Sequence, residues 1–384
     1  MNAMSAPSND ASRFARLKGF LEHDPGNPAL IADAASAAAE EGETEAALAL
    51  IARYAEIEPL PPALLNLRGL VAMQEKRFGE AAAAFAALRD EGEDAPALRF
   101  NLAWALAMAK DYEAALPLLD DEAVAAGPRA AALKVQLLHH FERLDEALEC
   151  GAALAEAYPE DRSLMGALAS AALDAEQIDL ARFYASRAGT NHDGLATMGL
   201  LLLDENRLDE SAALFERVLA ADAANPRALL GSGLGQLARG SVAGAADRLD
   251  AAAAQFGDHL GSWVAAGWAH YIKGDLAASR ARFETALALD DNFAETHGAL
   301  AVLDLVEGHA ESARHRTDVA LRLDRNCFAA ALARSMILDS EGKAKAAQQV
   351  RDAALNFPIG PSGRTIARSL AALDPERQGG SKAP

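Results

Sequence analysis

Aromatic residues make up only 5% of this 384-residue chain, and β-branched residues are few beside Ala and Leu. Sheets draw on both of those classes, whereas Ala and Leu lose little side-chain entropy in a helix. The composition therefore favours helices and almost no β-structure. Cysteine is nearly absent: Cys150 and Cys327 lie far apart and fit neither a disulfide framework nor a metal site. A reducing, cytoplasmic location follows as the simplest expectation. The longest apolar stretch, Leu195 to Leu203, is about half of the roughly twenty residues a membrane-spanning helix needs. The opening residues, MNAMSAPSND, lack the basic and apolar regions of a signal peptide. Positive charge is short too, with 36 basic against 56 acidic residues and a net charge of -20. Phosphate backbones and anionic lipids repel such a chain, so neither nucleic acid nor membrane insertion is expected. The same acidity keeps a long Ala-rich array soluble.

Motifs that carry chemistry are scarce. Gly231-Ser232-Gly233-Leu234-Gly235 resembles the start of a dinucleotide fingerprint, but that motif needs a preceding strand, and here it falls inside a helical pattern where Gly233 is a packing position. The nine histidines form no HExxH. His139 and His140 are adjacent and point to different faces, and His309 and His315 straddle a turn, so no metal set is expected. Acidic pairs such as Asp120-Asp121 and Asp290-Asp291 read as solvated turns. Catalytic residues, cofactors and metals are therefore all expected to be none, and the chain is read as not an enzyme.

Internal repetition is what the sequence does have. A small residue recurs at Ala47, Ala81, Ala115, Ala147, Ala181, Ser211, Ala245, Ser279, Ala313 and Ala347, and seven of the nine intervals are 34 residues. Twelve residues before each lies a second position, small everywhere except Val135: Ala35, Gly69, Ala103, Val135, Ala169, Gly199, Gly233, Gly267, Ala301 and Ser335. Four residues after the first series come large apolar residues, including Phe85, Phe215 and Phe283. Gly151, Thr317 and Arg351 break that last rule, so their repeats should pack more loosely. Pro28, Pro59, Pro128, Pro159 and Pro226 fall between helix pairs, where proline starts a helix well. Gly42, Gly274, Gly308 and Gly342 mark turns within pairs.

Over residues 28 to about 358 these offsets resemble the tetratricopeptide repeat, with Trp263, Gly267, Gly274-Asp275-Leu276, Ser279, Phe283 and Ala286 as the best single match. The resemblance implies an all-α solenoid, a right-handed superhelix of about ten antiparallel helix pairs. It also implies that the first helix of each repeat lines a concave groove. Carried over, the inward positions include Asn66, Leu70, Met73, Phe100, Trp104, Gln136, His139, Leu203, Leu234, Trp268, Tyr271 and Leu305, with Met108, His140, Leu200, Ile272, Val302, Leu332 and Met336 beside them. Family members that grip acidic C-termini use Lys, Arg and Asn there. Asn66 and Asn101 stand near such positions without a lysine cluster, so an apolar or amphipathic helix is the better ligand.

Residues 1–10 are expected to be disordered, 11–25 to form an N-terminal cap, 359–374 a C-terminal capping helix, and 375–384 a polar tail. The 181-to-211 step is four residues short across Ala188–Gly194, a glycine-rich break that divides the array into residues 26–190 and 191–358. The function these features imply is a scaffold or adaptor that binds another protein. The alternatives are a chaperone for secreted or assembly subunits and a regulatory subunit of a separate enzyme; self-association stays open. High Ala and Arg content suits a GC-rich bacterial genome.

Overall fold

The computed structural model describes residues 12–359 and 364–365. Among these, helices account for nearly everything. The exception is a two-residue antiparallel pair, β1 (Pro358–Ile359) with β2 (Arg364–Thr365). The expected disordered start and the bulk of the C-terminal cap and tail lie outside the described residues.

A capping helix, α1 (Arg13–Leu21), precedes ten helix pairs. The first three are α2 (Pro28–Glu40) with α3 (Thr44–Ala55), α4 (Pro62–Gln74) with α5 (Phe78–Asp90), and α6 (Pro96–Met108) with an interrupted second helix. That interrupted helix consists of α7 (Tyr112–Ala115), a 3-10 turn (Leu116–Leu118) and α8 (Asp121–Ala125). The fourth pair is α9 (Pro128–His140) with α10 (Leu144–Ala157). Next come α11 (Arg162–Asp174) with α12 (Ile178–Arg187), α13 (His192–Asp204) with α14 (Leu208–Ala221), and α15 (Pro226–Ala238) with α16 (Val242–Phe256). The last three are α17 (Leu260–Lys273) with α18 (Leu276–Leu289), α19 (Ala294–Val306) with α20 (Ala310–Leu323), and α21 (Phe328–Ser340) with α22 (Ala344–Leu355). Proline opens α2, α4, α6, α9 and α15, where its missing N–H costs nothing. Asn27, Asp161, Asn191 and Asn225 cap their helices through side-chain oxygens, satisfying donors that helices otherwise leave open.

Each pair closes by the same device. A residue just past the end of the first helix takes a left-handed conformation in every repeat: Gly42, Lys76, Lys110, Glu142, Glu176, Asn206, Gly240, Gly274, Gly308 and Gly342. The next N–H reaches back five residues, as in Arg77 to the Ala72 carbonyl (2.8 Å) and Asp275 to the His270 carbonyl (3.0 Å). This is the Schellman closure. Half of these positions are not glycine and hold the strained conformation through the hydrogen bonds that follow it.

The core of a pair is a large side chain on the second helix set against a small residue on the first. Phe85, Phe215 and Phe283 are fully buried. A side-chain carbon at Gly69, Gly199 or Gly267 would stand 2.4, 2.6 or 2.3 Å from the corresponding ring. In the fourth pair the bulk is exchanged: Val135 occupies the small position and Gly151 the large one, and both are buried. Thr317 is likewise buried and bonds the Ala313 carbonyl at 2.7 Å.

Packing divides the described residues into two compact units, one up to Tyr158 with four pairs and one from Pro159 onward with six. The boundary falls at Tyr158–Pro159, whereas the sequence pointed to 190/191. The physical reason is that the four missing residues come off the end of α12, which has ten residues where α14 has fourteen. Gly189 makes a left-handed turn and Asn191 caps α13. Gly194 then lets α13 approach until an added carbon would lie 2.2 Å from Ala188 Cβ. The shortened step is thereby closed up inside the second unit.

Two outcomes are expected in thermal melts. Lys76→Gly relieves a left-handed non-glycine, worth roughly 1–2 kcal/mol, and loses about 0.4–1 kcal/mol to unfolded-chain entropy. It should therefore stabilise by about 0.5–1 kcal/mol, while Gly274→Ala should destabilise. Gly267→Leu overpacks against Phe283 by roughly 1–3 kcal/mol or more and should lower the melting temperature further than Trp268→Ala; the reverse order would mean the two faces of α17 are misassigned.

Candidate functional site

The apolar positions expected on the first helices do not share one environment. In the first unit, Asn66 and the exposed Leu70 line a depression of about 380 Å³ between α2 and α4, with Ser36, Glu40 and Leu67 beside them. Met73 packs instead on the core around Leu65 and Ala72. Phe100 and Trp104 are half-buried neighbours on α6 with ring centroids 5.9 Å apart. On α9, Gln136 is exposed and His139 half-buried, while His140 stacks 4.2 Å from Tyr112 and ties α7 to α9.

In the second unit an ion pair bridges α11 and α15. Arg227, at the start of α15, forks onto both carboxylate oxygens of Asp174 at the end of α11, at 3.0 and 2.8 Å, spanning α13. Burial opposes charge on Arg227, but Asp174 outweighs it and raises the arginine's pKa. Leu203 is half-buried beside Gly235. Leu234 packs on the core of Ala246, Leu249 and Ala266. Leu200 packs on the Phe215 core in the same way, and all three leucines are partly buried.

Further along, α17, α19 and α21 present a continuous apolar strip. Trp268, Tyr271, Leu305, Leu332 and Met336 are all partly buried and pack on Ala301, Val302 and Ala333. Trp268 stands edge-on to both Tyr271 and Phe283, each at 5.5 Å, so its orientation is fixed from beneath. Val302 is fully buried and forms the floor of the strip, which corrects the expectation that it faces a partner. The open edge is Ile272, 58% exposed, and Val306, 45% exposed. The base is stiff. Glu295 accepts the N–H groups of Phe328 (2.7 Å) and Ala329 (3.2 Å), and a carbon added at Gly298 would meet Ala330 N at 2.5 Å. Cys327 caps α21 through its sulfur, 3.3 Å from Ala330 N. Burial, with Glu295 nearby, pushes its thiol pKa up to about 12.

Charged groups in this unit are absorbed by structure. Asp304 is buried and takes Arg280 at 2.6 Å, Ser312 at 2.5 Å and Arg316 at 3.2 Å. Arg280 also reaches Glu307 at 2.6 Å. Asp304, Glu307 and His309 are close enough to suggest a cation site, but Arg280 already supplies the positive charge there. Asp250 joins three helices, accepting Arg282 at 2.7 and 2.9 Å and lying 3.0 Å from His270 Nε2. Burial pushes the Asp250 carboxyl up, but the hydrogen bonds from Arg282 and His270 prevail and hold its pKa below the ordinary value. Asp304 shows the same balance, with burial opposed by Ser312 and Arg280. The Gly231–Gly235 segment is packing: carbons added at Gly231 and Gly233 would strike Phe215 (2.1 Å) and Leu249 (2.7 Å).

A group whose folded pKa is lowered stabilises the fold above its unfolded value, near 3.9 for aspartate, and loses that contribution as pH falls through the lower folded value. Denaturation midpoints should therefore hold between about pH 7 and 5 and fall below about pH 4. Asp304→Asn should lower the midpoint at pH 7 and flatten the acid limb, and an unchanged acid limb would remove Asp304 from this account.

The family model for the tetratricopeptide repeat matches residues 32–96, 66–131 and 197–259. No curated protein matches the sequence. Among solved structures, a human IFIT1 dimer with PPP-AAAA is 12% identical with a TM-score of 0.53, covering 91% of this chain and 95% of that one. An IFIT1 monomeric mutant with Gppp-AAAA gives the same TM-score and identity over 90% of this chain. The Cut9–Hcn1 hetero-tetramer of the APC/C is 13% identical over 90% of this chain and 87% of that one, with a TM-score of 0.41. At 12% identity the likeness to the IFIT1 structures is one of fold. No described helix is long and apolar enough to cross a membrane.

Proposed function

We propose that this tetratricopeptide-repeat protein is a non-catalytic scaffold that binds an amphipathic helix of a partner protein on α17, α19 and α21. The observation that supports the reading is the strip of Trp268, Tyr271, Ile272, Leu305, Val306 and Met336, where aromatic, Met and aliphatic side chains remain partly open above a fully buried floor. Such a patch, rimmed by polar turns, suits helix-in-groove recognition, and its aromatic and Met content is what interface centres use.

The IFIT1 structures hold Gppp-AAAA or PPP-AAAA, but two features of this chain argue against a ligand of that kind. The net charge is -20. Arg280 is held by Asp304 and Glu307 and Arg282 by Asp250, so these two arginines are not free for phosphates. The chaperone and regulatory-subunit alternatives would use the same strip on a different client.

The test places a photo-crosslinking residue at Ile272 and maps the captured segment by mass spectrometry. The expected segment has apolar residues at helical spacing, and capture should fall at least about tenfold in Tyr271→Asp, as expected for an aromatic anchor, with an unchanged melt. A segment without that spacing, or capture indifferent to Tyr271, would sink the reading.

A further inference from the structure

The last helix pair ends in a hairpin that returns the chain to its starting point. α22 stops at Leu355, and β1 then pairs antiparallel with β2, setting Pro358 opposite Thr365 and Ile359 opposite Arg364. Continued by one residue, this register brings Ile366 beside Phe357, because facing Cα atoms of paired strands lie about 5 Å apart. The chain that follows β2 is thus delivered back to the end of α22.

Phe357 is 46% exposed and forms the rim of a depression of about 260 Å³. Leu321 of α20, Ala331 of α21, and Val350 and Ala354 of α22 line it, and each of these walls is partly open. The exposed Arg334 stands in the same lining and takes no salt bridge among the described residues. Residues 366–374 read IARSLAALD. On a helix, Ile366, Leu370 and Leu373 fall at i, i+4 and i+7 along one face, with Arg368 on the other. Ile366 and Leu373 are seven residues apart, as Phe357 and Val350 are, so a helix run back along α22 keeps pace with it.

We infer that residues 366–374 of this chain dock in the depression as a helix antiparallel to α22, with Ile366 at Phe357, Leu370 at Ala354 and Leu373 at Val350. The hairpin register selects this occupant over any other, since it places the segment at the rim at a high effective concentration that a separate partner must overcome. Asp374, next to Leu373, supplies the anion for Arg334. A cap on the open end of the array would touch α21 and α22 alone. Because Leu321 of α20 belongs to the seat, the docked segment instead ties the last two helix pairs together, on residues of α21 other than those of the α17–α21 strip.

The test places a photo-crosslinking residue at Ala353, exposed on α22 within the depression, in full-length protein mixed from light and heavy isotope-labelled chains. Cross-links should fall within residues 366–374 and join light to light or heavy to heavy only. Limited trypsin digestion of the parent should cut after Arg377 before it cuts after Arg368. Leu370→Asp should speed the cut after Arg368 at least about tenfold, as loss of one buried leucine does when cleavage tracks the open population, and leave the cut after Arg377 unchanged. Mixed light–heavy products would make the occupant a second copy of the chain. Cross-links that miss the segment would leave the depression to another partner, and a cut after Arg368 indifferent to Leu370→Asp would remove the segment from the seat. Each of these results overturns the inference.

Discussion

Everything in this solenoid depends on how closely the two helices of a repeat can approach, and a side chain seated on bare backbone sets that distance. Phe85, Phe215 and Phe283 lie against Gly69, Gly199 and Gly267 so tightly that one added carbon on the glycine would overlap the ring. Interiors packed to crystal-like density cannot absorb such a change. The fourth repeat keeps the rule by reversing it, with Val135 on the first helix and Gly151 on the second. Volume is conserved across the pair while its location is not, the kind of exchange cores tolerate.

Once pair geometry is set, the surfaces left open follow from where neighbouring helices cover it. Between α11 and α15 the Arg227–Asp174 fork ties the first helices of alternate repeats together. Beyond it, Glu295 and Gly298 draw α19 and α21 together, so Trp268, Tyr271 and Leu305 are lifted into a strip on a rigid base. In the first unit a cleft of about 620 Å³ lies beside the interruption at Pro117. Each open surface thus has a local cause in one or two residues.

Several features were legible only in part. Gly42, Gly274, Gly308 and Gly342 announced their turns, but Lys76, Lys110, Glu142, Glu176 and Asn206 take the same left-handed shape without a glycine to signal it; only the register of the repeat could have pointed to them. Pro117 is a visible helix breaker, but Ala115 and Leu119 keep their places in the repeat pattern and so hide the break. Arg99 had no signal at all, since a buried arginine with three carboxylates, Asp94, Asp120 and Glu122, reads like any other surface charge.

The sequence by itself determined the class of fold, the number of pairs and the small-against-large packing, because these repeat at a fixed spacing and each is a local matter of one hairpin. It did not determine where the array divides or which candidate side chains stay open. Those depend on contacts between helices far apart in the chain: Asp174 with Arg227, Glu295 with the start of α21, Ala188 with Gly194. A shortened repeat can end in a break or in closer packing, and only the tertiary structure shows that here the loss is taken from the end of α12, while the boundary falls at Tyr158–Pro159.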